Sequence, residues 1–153
     1  MIRDLNETEI KNILTSQVFG RLACTNGLNP YIVPLTYVYD GEYIYGQTIK
    51  GKKLSILRKN PNVCFEVDVQ TDMFNWGSVL VFGKFEELKD EAADKARAKL
   101  FNSAFTLLTG SAVHKHEHET VAGIDDSSRK KPVMYRIKIK KITGRTEKKQ
   151  API

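Results

Sequence analysis

The sequence YIVPLTYVYDGEYIYGQT, residues 31–48, carries the strongest structural signal in this chain. Both of its ends are rich in β-branched and aromatic residues, which favour extended strands. Asp40-Gly41 lies between them, and this dipeptide is typical of the tight turn of a β-hairpin. We therefore expect strands at Tyr31–Tyr39 and Glu42–Gln47, with Pro34 placing the first of them at a sheet edge or a bulge.

The sequence around this hairpin is also mainly β. Phe19–Thr25 predicts a strand that ends at the turn signal Asn26-Gly27, so the first three strands are expected to form a meander. Three further strands are expected at Val63–Val69, Ser78–Phe85 and Met134–Ile142. Six antiparallel strands that begin with a hairpin favour a mainly β fold, a small barrel with flanking helices, over a doubly wound sheet.

Helices are expected at three places between these strands. Asn6 and Glu9 form a capping-box pattern ahead of a short helix that runs to about Thr15. Residues 52–59 change to helical period, and the following Asn60-Pro61 ends the helix. The longest helix is expected over 90–108, where apolar residues recur at helical spacing before Gly110.

Length and composition place limits on the kind of protein. With 153 residues, 41% hydrophobic and 27% charged, the chain is expected to form one globular domain over 1–143, with a basic tail at 144–153. No apolar run approaches the roughly 20 residues that a membrane helix needs. The first ten residues, MIRDLNETEI, contain acids where a signal peptide has an apolar stretch, so we expect a cytoplasmic protein without membrane association.

The positive charge is concentrated near the C-terminus. Residues 129–149 hold ten Lys and Arg against one acid, which leaves 14 basic and 17 acidic residues, a net of −3, for the rest of the chain. This distribution argues against nucleic acid as a general partner. The alternating basic residues of 136–141 fit the solvated face of a half-buried strand, although such a strand could also follow phosphates.

Cysteines and histidines offer few candidates for a metal site. Cys24 and Cys64 lie far apart in apolar surroundings, as expected of buried reduced thiols, and no CxxC motif is present. His114, His116 and His118 alternate, so in an extended segment they could converge on zinc, nickel or haem iron. The alternatives are a polar loop, or a loop over a binding cleft from which one histidine contacts substrate. We predict no metal site.

The segment IYGQTIKGKKLSILRKNP, residues 44–61, predicts an anion site. A strand ends in Gln47 and Thr48, and Gly51 leads into a helix whose first turn contains Lys52 and Lys53. The free N–H groups and positive end of a helix favour an anion, and lysines there oppose the helix dipole unless an anion compensates them. The segment is not a P-loop, because GxxxxGK[ST] is absent. Solvated surface lysines are the alternative.

Four segments together resemble a known family. They are GRLAC at 20–24, PYIVPLTYVYDGEYIYGQTIKGKKLSILRKNPNVCFEVD at 30–68, WGSVLVFGKFEEL at 76–88 and MYRIKIKKITGR at 134–145. Their order resembles that of the pyridoxamine 5′-phosphate oxidase-like split-barrel flavoproteins. The branch with the greatest similarity contains FMN-binding proteins and the nitroimidazole-resistance reductases. The resemblance covers about residues 14–145.

This resemblance implies a homodimer of six-stranded antiparallel split barrels with FMN, or FAD, in clefts at the subunit interface. The cofactor-binding residues implied are Val33, Pro34, Leu35 and Thr36 beside the flavin ring, Gln47, Thr48, Lys52 and Lys53 at the ribityl and phosphate groups, and Trp76 and Ser78 from the partner subunit. Lys52-Lys53 stands where the oxidases carry an arginine-lysine pair, which keeps the charge but loses a bidentate fork. No counterpart of the oxidases' substrate-binding arginine motif follows Arg136.

The activity implied is that of a flavin-dependent reductase or oxidoreductase. Its substrate would be a small, flat, electron-poor molecule such as a nitroaromatic, with NAD(P)H or another donor reducing the flavin. The hydride chemistry would belong to the flavin, so no acid–base triad is expected and catalytic side chains stay unassigned. A flavin or haem carrier, or a redox sensor, is the non-catalytic alternative.

Overall fold

A computed structural model describes residues 1–109 and 132–149 of the chain, with side chains described outside 104–109. His114, His116 and His118 lie outside these ranges. Strands and helices follow one another in the order β1 (Ile2–Asp4), α1 (Glu7–Ser16), β2 (Phe19–Thr25), β3 (Pro30–Thr36), β4 (Val38–Tyr39), β5 (Tyr43–Thr48), α2 (Lys52–Lys59), β6 (Asn62–Asp72), β7 (Asn75–Glu87), α3 (Asp90–Thr109) and β8 (Val133–Glu147).

The strands form one antiparallel sheet in the order β3-β2-β6-β7-β8-β5-β4, and β1 pairs with β8. The sheet curls around a core to which β6 contributes Val63, Phe65 and Val67, all facing inward. The prediction of a mainly β antiparallel fold with flanking helices is therefore confirmed. The described residues contain eight strands rather than six, because the short β1 was not predicted and the segment 31–39 divides into β3 and β4.

The helices lie where the sequence predicted them. At the start of α1 the backbone N–H of Glu9 donates to Asn6 Oδ1 over 2.9 Å, and the N–H of Asn6 donates to Glu9 Oε2 over 3.0 Å. This is the expected capping box. Helix α3 packs on β5 and β8 through a second apolar cluster that includes Ala96, Leu100 and Met134. Among the described residues, no helix combines the length and apolarity needed to cross a membrane.

The predicted three-stranded meander is wrong. β2 and β3 form a hairpin, and β4 pairs with β5, but these two hairpins lie at opposite ends of the sheet. Tyr37 separates them, because its ring is buried, its N–H donates to the carbonyl of Val18 and its hydroxyl donates to the carbonyl of Leu14. These contacts hold Tyr37 against the α1–β2 segment, so the chain after Tyr37 does not pair with β3. Strand β3 is therefore an edge strand, as Pro34 predicted.

The last strand is longer than predicted, and its alternation changes part-way. Phe82 pairs with Lys141 while Gly83 pairs with Ile139, so Lys140 is the extra residue of a β-bulge. The inward set therefore changes from residues 135 and 137 to residues 144 and 146. β8 continues to Glu147, and Thr146 is buried with its hydroxyl donating to the carbonyl of Trp76 over 2.7 Å. Residues 144–147 thus belong to the sheet and not to a tail.

Candidate functional site

Strand β3 presents an open edge. Within the described residues it pairs only with β2, so every second residue directs its N–H and C=O away from the sheet. Val33 and Leu35 pack against the core, while Pro34 is exposed and Thr36 is half-buried. Such an edge can donate and accept hydrogen bonds with a flat ring of alternating donors and acceptors.

The first turn of α2 lies against the beginning of this strand. Lys52 Nζ stands 5.4 Å from the ring centroid of Tyr31 on β3. Gly51 precedes the helix without any side-chain cap, and the first α2 amide that donates to it is that of Ser55. The preceding N–H groups of the turn are thus left for an external acceptor. Neither Lys52 nor Lys53 forms an ion pair within the described residues.

Lys53 is the more buried of the two lysines. Burial lowers the pKa of its ammonium, and the nearby Cys24 thiol opposes that change. Cys24 itself is buried, as predicted, and burial raises the pKa of its thiol. Cys64 is only half-buried, because it faces the outer side of the sheet. No acid among residues 1–109 and 132–149 pairs with this ammonium, so an anion that approaches it would stabilise its charged form.

Gln47 and Thr48 end β5, directly before the loop to α2. The side chain of Gln47 is exposed and makes no hydrogen bond to the described residues. Thr48 is buried, and its hydroxyl donates to the carbonyl of Ile49 over 3.3 Å. Gln47 therefore offers a free amide on the surface, whereas Thr48 stabilises the turn into α2.

Trp76 and Ser78 lie at the beginning of β7. The indole Nε1 of Trp76 donates to Glu147 Oε2 over 3.2 Å. Ser78 Oγ donates to Glu66 Oε1 over 3.2 Å on the outer face of the sheet. Trp76 also lines a cavity of 480 Å³ between α1 and the β6–β7 hairpin, a feature that nothing in the sequence predicted.

Within one chain, Trp76 is remote from the lysines. Lys53 lies beside Cys24, whose neighbour Ala23 pairs with Cys64, and Cys64 pairs with Phe82. From Phe82 to Trp76 the strand β7 runs a further six residues, a distance of about 20 Å. The structure therefore brings together β3, Gln47, Thr48, Lys52 and Lys53, and it leaves Trp76 and Ser78 at the other end of the sheet.

A charged cluster on the outer face was not predicted. Arg21 on β2 forms ion pairs with Glu66 and Asp68 on β6. Burial raises the pKa of Glu66, and the charge of Asp68 raises it further. The cluster is surrounded by exposed apolar side chains of the same face, namely Phe19 (54% exposed), Ile32 (65%), Leu80 (36%) and Phe82 (41%). The alternation of residues along each strand could have predicted which side chains of β2 and β7 face outward. Only the strand order shows that the charged cluster and the apolar side chains are neighbours.

Residues 1–109 and 132–149 contain no group of three His, Cys, Asp or Glu side chains that could hold a metal ion.

Comparison with known proteins gives the family. The sequence profile of the pyridoxamine 5′-phosphate oxidase family matches residues 6–146. The chain belongs to this family. An uncharacterized protein of Rhizobium meliloti is 32% identical over 87 residues, which are 57% of this chain and 58% of that protein. The matched segment thus spans little more than half of that relative.

Solved structures of the pyridoxamine 5′-phosphate oxidase type share the fold. A FAD-binding protein from Mesorhizobium loti is 29% identical, with a TM-score of 0.72 over 95% of this chain and 98% of that one. A candidate 5-nitroimidazole antibiotic resistance protein from Bacteroides thetaiotaomicron is 17% identical, with a TM-score of 0.69 over 95% and 87% of the two chains. At that identity, the second likeness concerns the fold alone.

The residues at β3 and α2 fit a phosphorylated flavin. In the part of the chain that the structure describes, the donor set consists of two lysines without acid partners, the unpaired first-turn amides of α2 and the exposed amide of Gln47. A phosphate accepts from such donors, and the open edge of β3 suits the hydrogen-bonding rim of an isoalloxazine.

Proposed function

We propose that this protein is an FMN-binding oxidoreductase that reduces a small, flat, electron-poor substrate. The observation that carries the proposal is the position of Lys52 and Lys53 at the first turn of α2, beside the open edge of β3, where neither forms an ion pair with a described residue. A bound flavin would supply the two-electron chemistry, and the protein would bind and orient it.

The phosphate is assigned to the α2 end of the site. Lys52 and Lys53 would neutralise its charge, the first-turn amides would donate to its oxygens, and Gln47 would contact the ribityl chain. Two adjacent lysines at one helix end suit a single terminal phosphate, which favours FMN. The Mesorhizobium loti relative is a FAD-binding protein, so the two cofactors have to be distinguished by experiment.

The flavin ring is assigned to β3. Its rim would exchange hydrogen bonds with the outward-directed backbone of Val33–Thr36, while the core behind Val33 and Leu35 keeps the strand rigid. One face of the ring would stay open for a flat substrate.

We further propose that two copies of the chain complete the site. The outer-face residues Phe19, Ile32, Leu80 and Phe82 form an exposed apolar patch of the kind that marks protein interfaces. A twofold pairing through this patch would carry Trp76 and Ser78 of the partner subunit towards the flavin. The flavin would then be contacted by Trp76 and Ser78 of the partner subunit, while those of the same chain stay about 20 Å from the lysines.

The visible absorption spectrum is the first test. Purified protein, loaded with FMN or with FAD and then desalted, should retain bands near about 370 and 450 nm that are typical of bound flavin. Flavin that stays bound to the protein during purification can be released by heat. Chromatography would then identify it as FMN or FAD. A protein that stays colourless under all conditions would refute the cofactor assignment.

Turnover separates an enzyme from a carrier. The flavin-loaded protein should be bleached by NADPH or NADH under anaerobic conditions and recoloured by a nitroaromatic compound, with several turnovers per flavin. Free FMN at the same concentration is the control. Stable flavin binding without turnover by any donor would favour the carrier or sensor function.

A further inference from the structure

We propose that four exposed lysines on β7 and β8 form a docking surface for a small acidic electron-carrier protein, which reduces the flavin. This surface, called the lysine face below, consists of Lys84, Lys138, Lys140 and Lys141. Reduction of the flavin by this carrier rests on the proposed flavin function. Binding of the carrier to the lysine face does not.

Two of the lysines stand directly opposite each other. Lys84 on β7 pairs with Lys138 on β8 in the antiparallel register, and both side chains are exposed. Opposed residues of neighbouring strands have their Cβ atoms about 5 Å apart, and side chains of like charge in opposed positions destabilise the sheet. The fold therefore tolerates a local repulsion that any anionic partner would relieve.

The β-bulge adds another charge to the same area. Because Lys140 is the extra residue of β8, Lys140 and Lys141 together stand opposite Phe82. Both lysines are exposed. Without the bulge, regular alternation would turn one of them inward.

The lysine face lacks compensating acids within the part of the chain that is described. The neighbouring acids on β7 are already occupied, since Glu86 accepts from Arg136 at 2.8 Å and Glu87 from Arg58 at 2.8 Å. Lys84, Lys138, Lys140 and Lys141 form no ion pair with any described residue. Because Arg136 and Arg58 already neutralise these two glutamates, the four lysine charges have no compensating acid among the described residues.

The shape of the surface favours a protein over a small molecule. Exposed side chains on two adjacent strands present a broad, shallow surface, whereas small ligands bind in concave pockets. The remainder of the chain outside residues 129–149 carries a net charge of −3, which would repel a polyanion that extends beyond this face. A compact acidic protein can contact the lysine face alone, as in weak, electrostatically steered electron-transfer complexes.

The position of the face is compatible with the proposed dimer. Lys141 pairs with Phe82, which belongs to the apolar patch, so the lysine face lies at the rim of that patch. A carrier could dock there while a second copy covers the patch. Two reduced one-electron carriers docking in turn would each be oxidised once, and the flavin would gain two electrons together with two protons from solvent.

Binding is tested with an acidic plant-type [2Fe–2S] ferredoxin as the probe. Isothermal titration of the full chain with the oxidised probe should show binding at low ionic strength that weakens steeply with added salt. Lys138→Gln/Lys141→Gln should lower the affinity on the order of tenfold or more. The matched control is Lys11→Gln/Lys59→Gln, which removes two exposed lysines from α1 and from the end of α2 and should leave the affinity unchanged.

Anaerobic stopped-flow reduction of the flavin-loaded protein by the reduced probe tests whether a carrier docked on the lysine face reduces the flavin. The double variant should slow this step at low salt, while reduction by dithionite stays unchanged. The docking proposal is overturned if the probe does not bind, if both double variants bind it equally, or if duplex DNA binds with the same lysine dependence and the probe does not. Because titration needs no flavin, failure of the cofactor assignment would be seen separately, in the absorption spectrum.

Discussion

The ammonium of Lys52 lies 5.4 Å from the ring centroid of Tyr31, and this contact joins the start of α2 to the start of the edge strand β3. Tyr31 pairs with Cys24, beside which Lys53 lies. Both lysines are thereby directed to the same end of β3. One phosphate bound at the first turn of α2 could be reached by both ammonium groups.

Replacing both lysines should weaken flavin binding. A hydrogen bond to a charged group contributes about 1.5–3 kcal/mol, so the loss of two in Lys52→Ala/Lys53→Ala is expected to raise the Kd for FMN by at least about 100-fold. Flavin fluorescence titration measures this constant. Riboflavin, which lacks the phosphate, should bind the variant and the parent with similar affinity.

Lys59→Ala is the matched control for this prediction. Lys59 is exposed at the opposite end of the same helix, so its removal takes away one positive charge of α2 without approaching the first turn. Its Kd for FMN should equal that of the parent. If Lys52→Ala/Lys53→Ala retained FMN as tightly as the parent, the phosphate would have to be held elsewhere.

Gly20→Ala should destabilise the fold. A Cβ at residue 20 would stand 2.4 Å from Phe65 Cζ and 2.9 Å from the carbonyl oxygen of Glu66, and the Phe65 ring is fully buried. Overpacking of this kind costs about 1–3 kcal/mol. Thermal unfolding followed by circular dichroism should therefore show a lower Tm. At Gly51 a Cβ would meet nothing within 4 Å, so Gly51→Ala should unfold near the parent's temperature.

Local sequence signals predicted most of the secondary structure. The capping box of Asn6 and Glu9 and the alternation of Val63, Phe65 and Val67 act between near neighbours in the chain, and the structure contains both. The site residues before and after Gly51 could be predicted for the same reason, since a strand end followed by a helix start needs only local information. Their role in binding flavin stays a prediction.

The order and pairing of the strands could not be predicted from local sequence signals. The meander failed because the anchoring of Tyr37 on Leu14 and Val18 depends on how α1 packs, which local propensity does not contain. The bulge at Lys140 depends on how β8 pairs with β7. The same pairing continues beyond the bulge and extends β8 to Glu147. The outer-face cluster of Arg21, Glu66 and Asp68 likewise exists only because β2 and β6 are neighbours, although 45 residues separate Arg21 from Glu66.

Glu66 should make stability depend on pH in the acidic range. Burial and Asp68 raise its pKa in the folded state above the ordinary value of 4.5, so the folded state holds this proton more tightly than the unfolded chain. The contribution of Glu66 is then fully present below pH 4.5 and is lost as the pH rises through the folded-state pKa. Glu66→Gln should remove this dependence, as measured by urea unfolding at several pH values.

Glu42→Gln is the control for the pH prediction. Glu42 is exposed in the β4–β5 turn, away from the cluster, so this variant should keep the parent's pH profile. An unchanged profile in Glu66→Gln would show that Glu66 does not cause the pH dependence.

The single tryptophan reports on the proposed dimer. Trp76 lies about 20 Å along the sheet from the lysines of its own chain, and twofold pairing would bring the partner's Trp76 close to the flavin. Binding of FMN should therefore quench tryptophan emission strongly in the parent. Leu80→Glu/Phe82→Glu places charges in the apolar patch and should yield a monomer by analytical ultracentrifugation, with much weaker quenching at equal flavin occupancy. A parent that sediments as a monomer, or quenching of equal strength in a monomeric variant, would show that one chain forms the site alone.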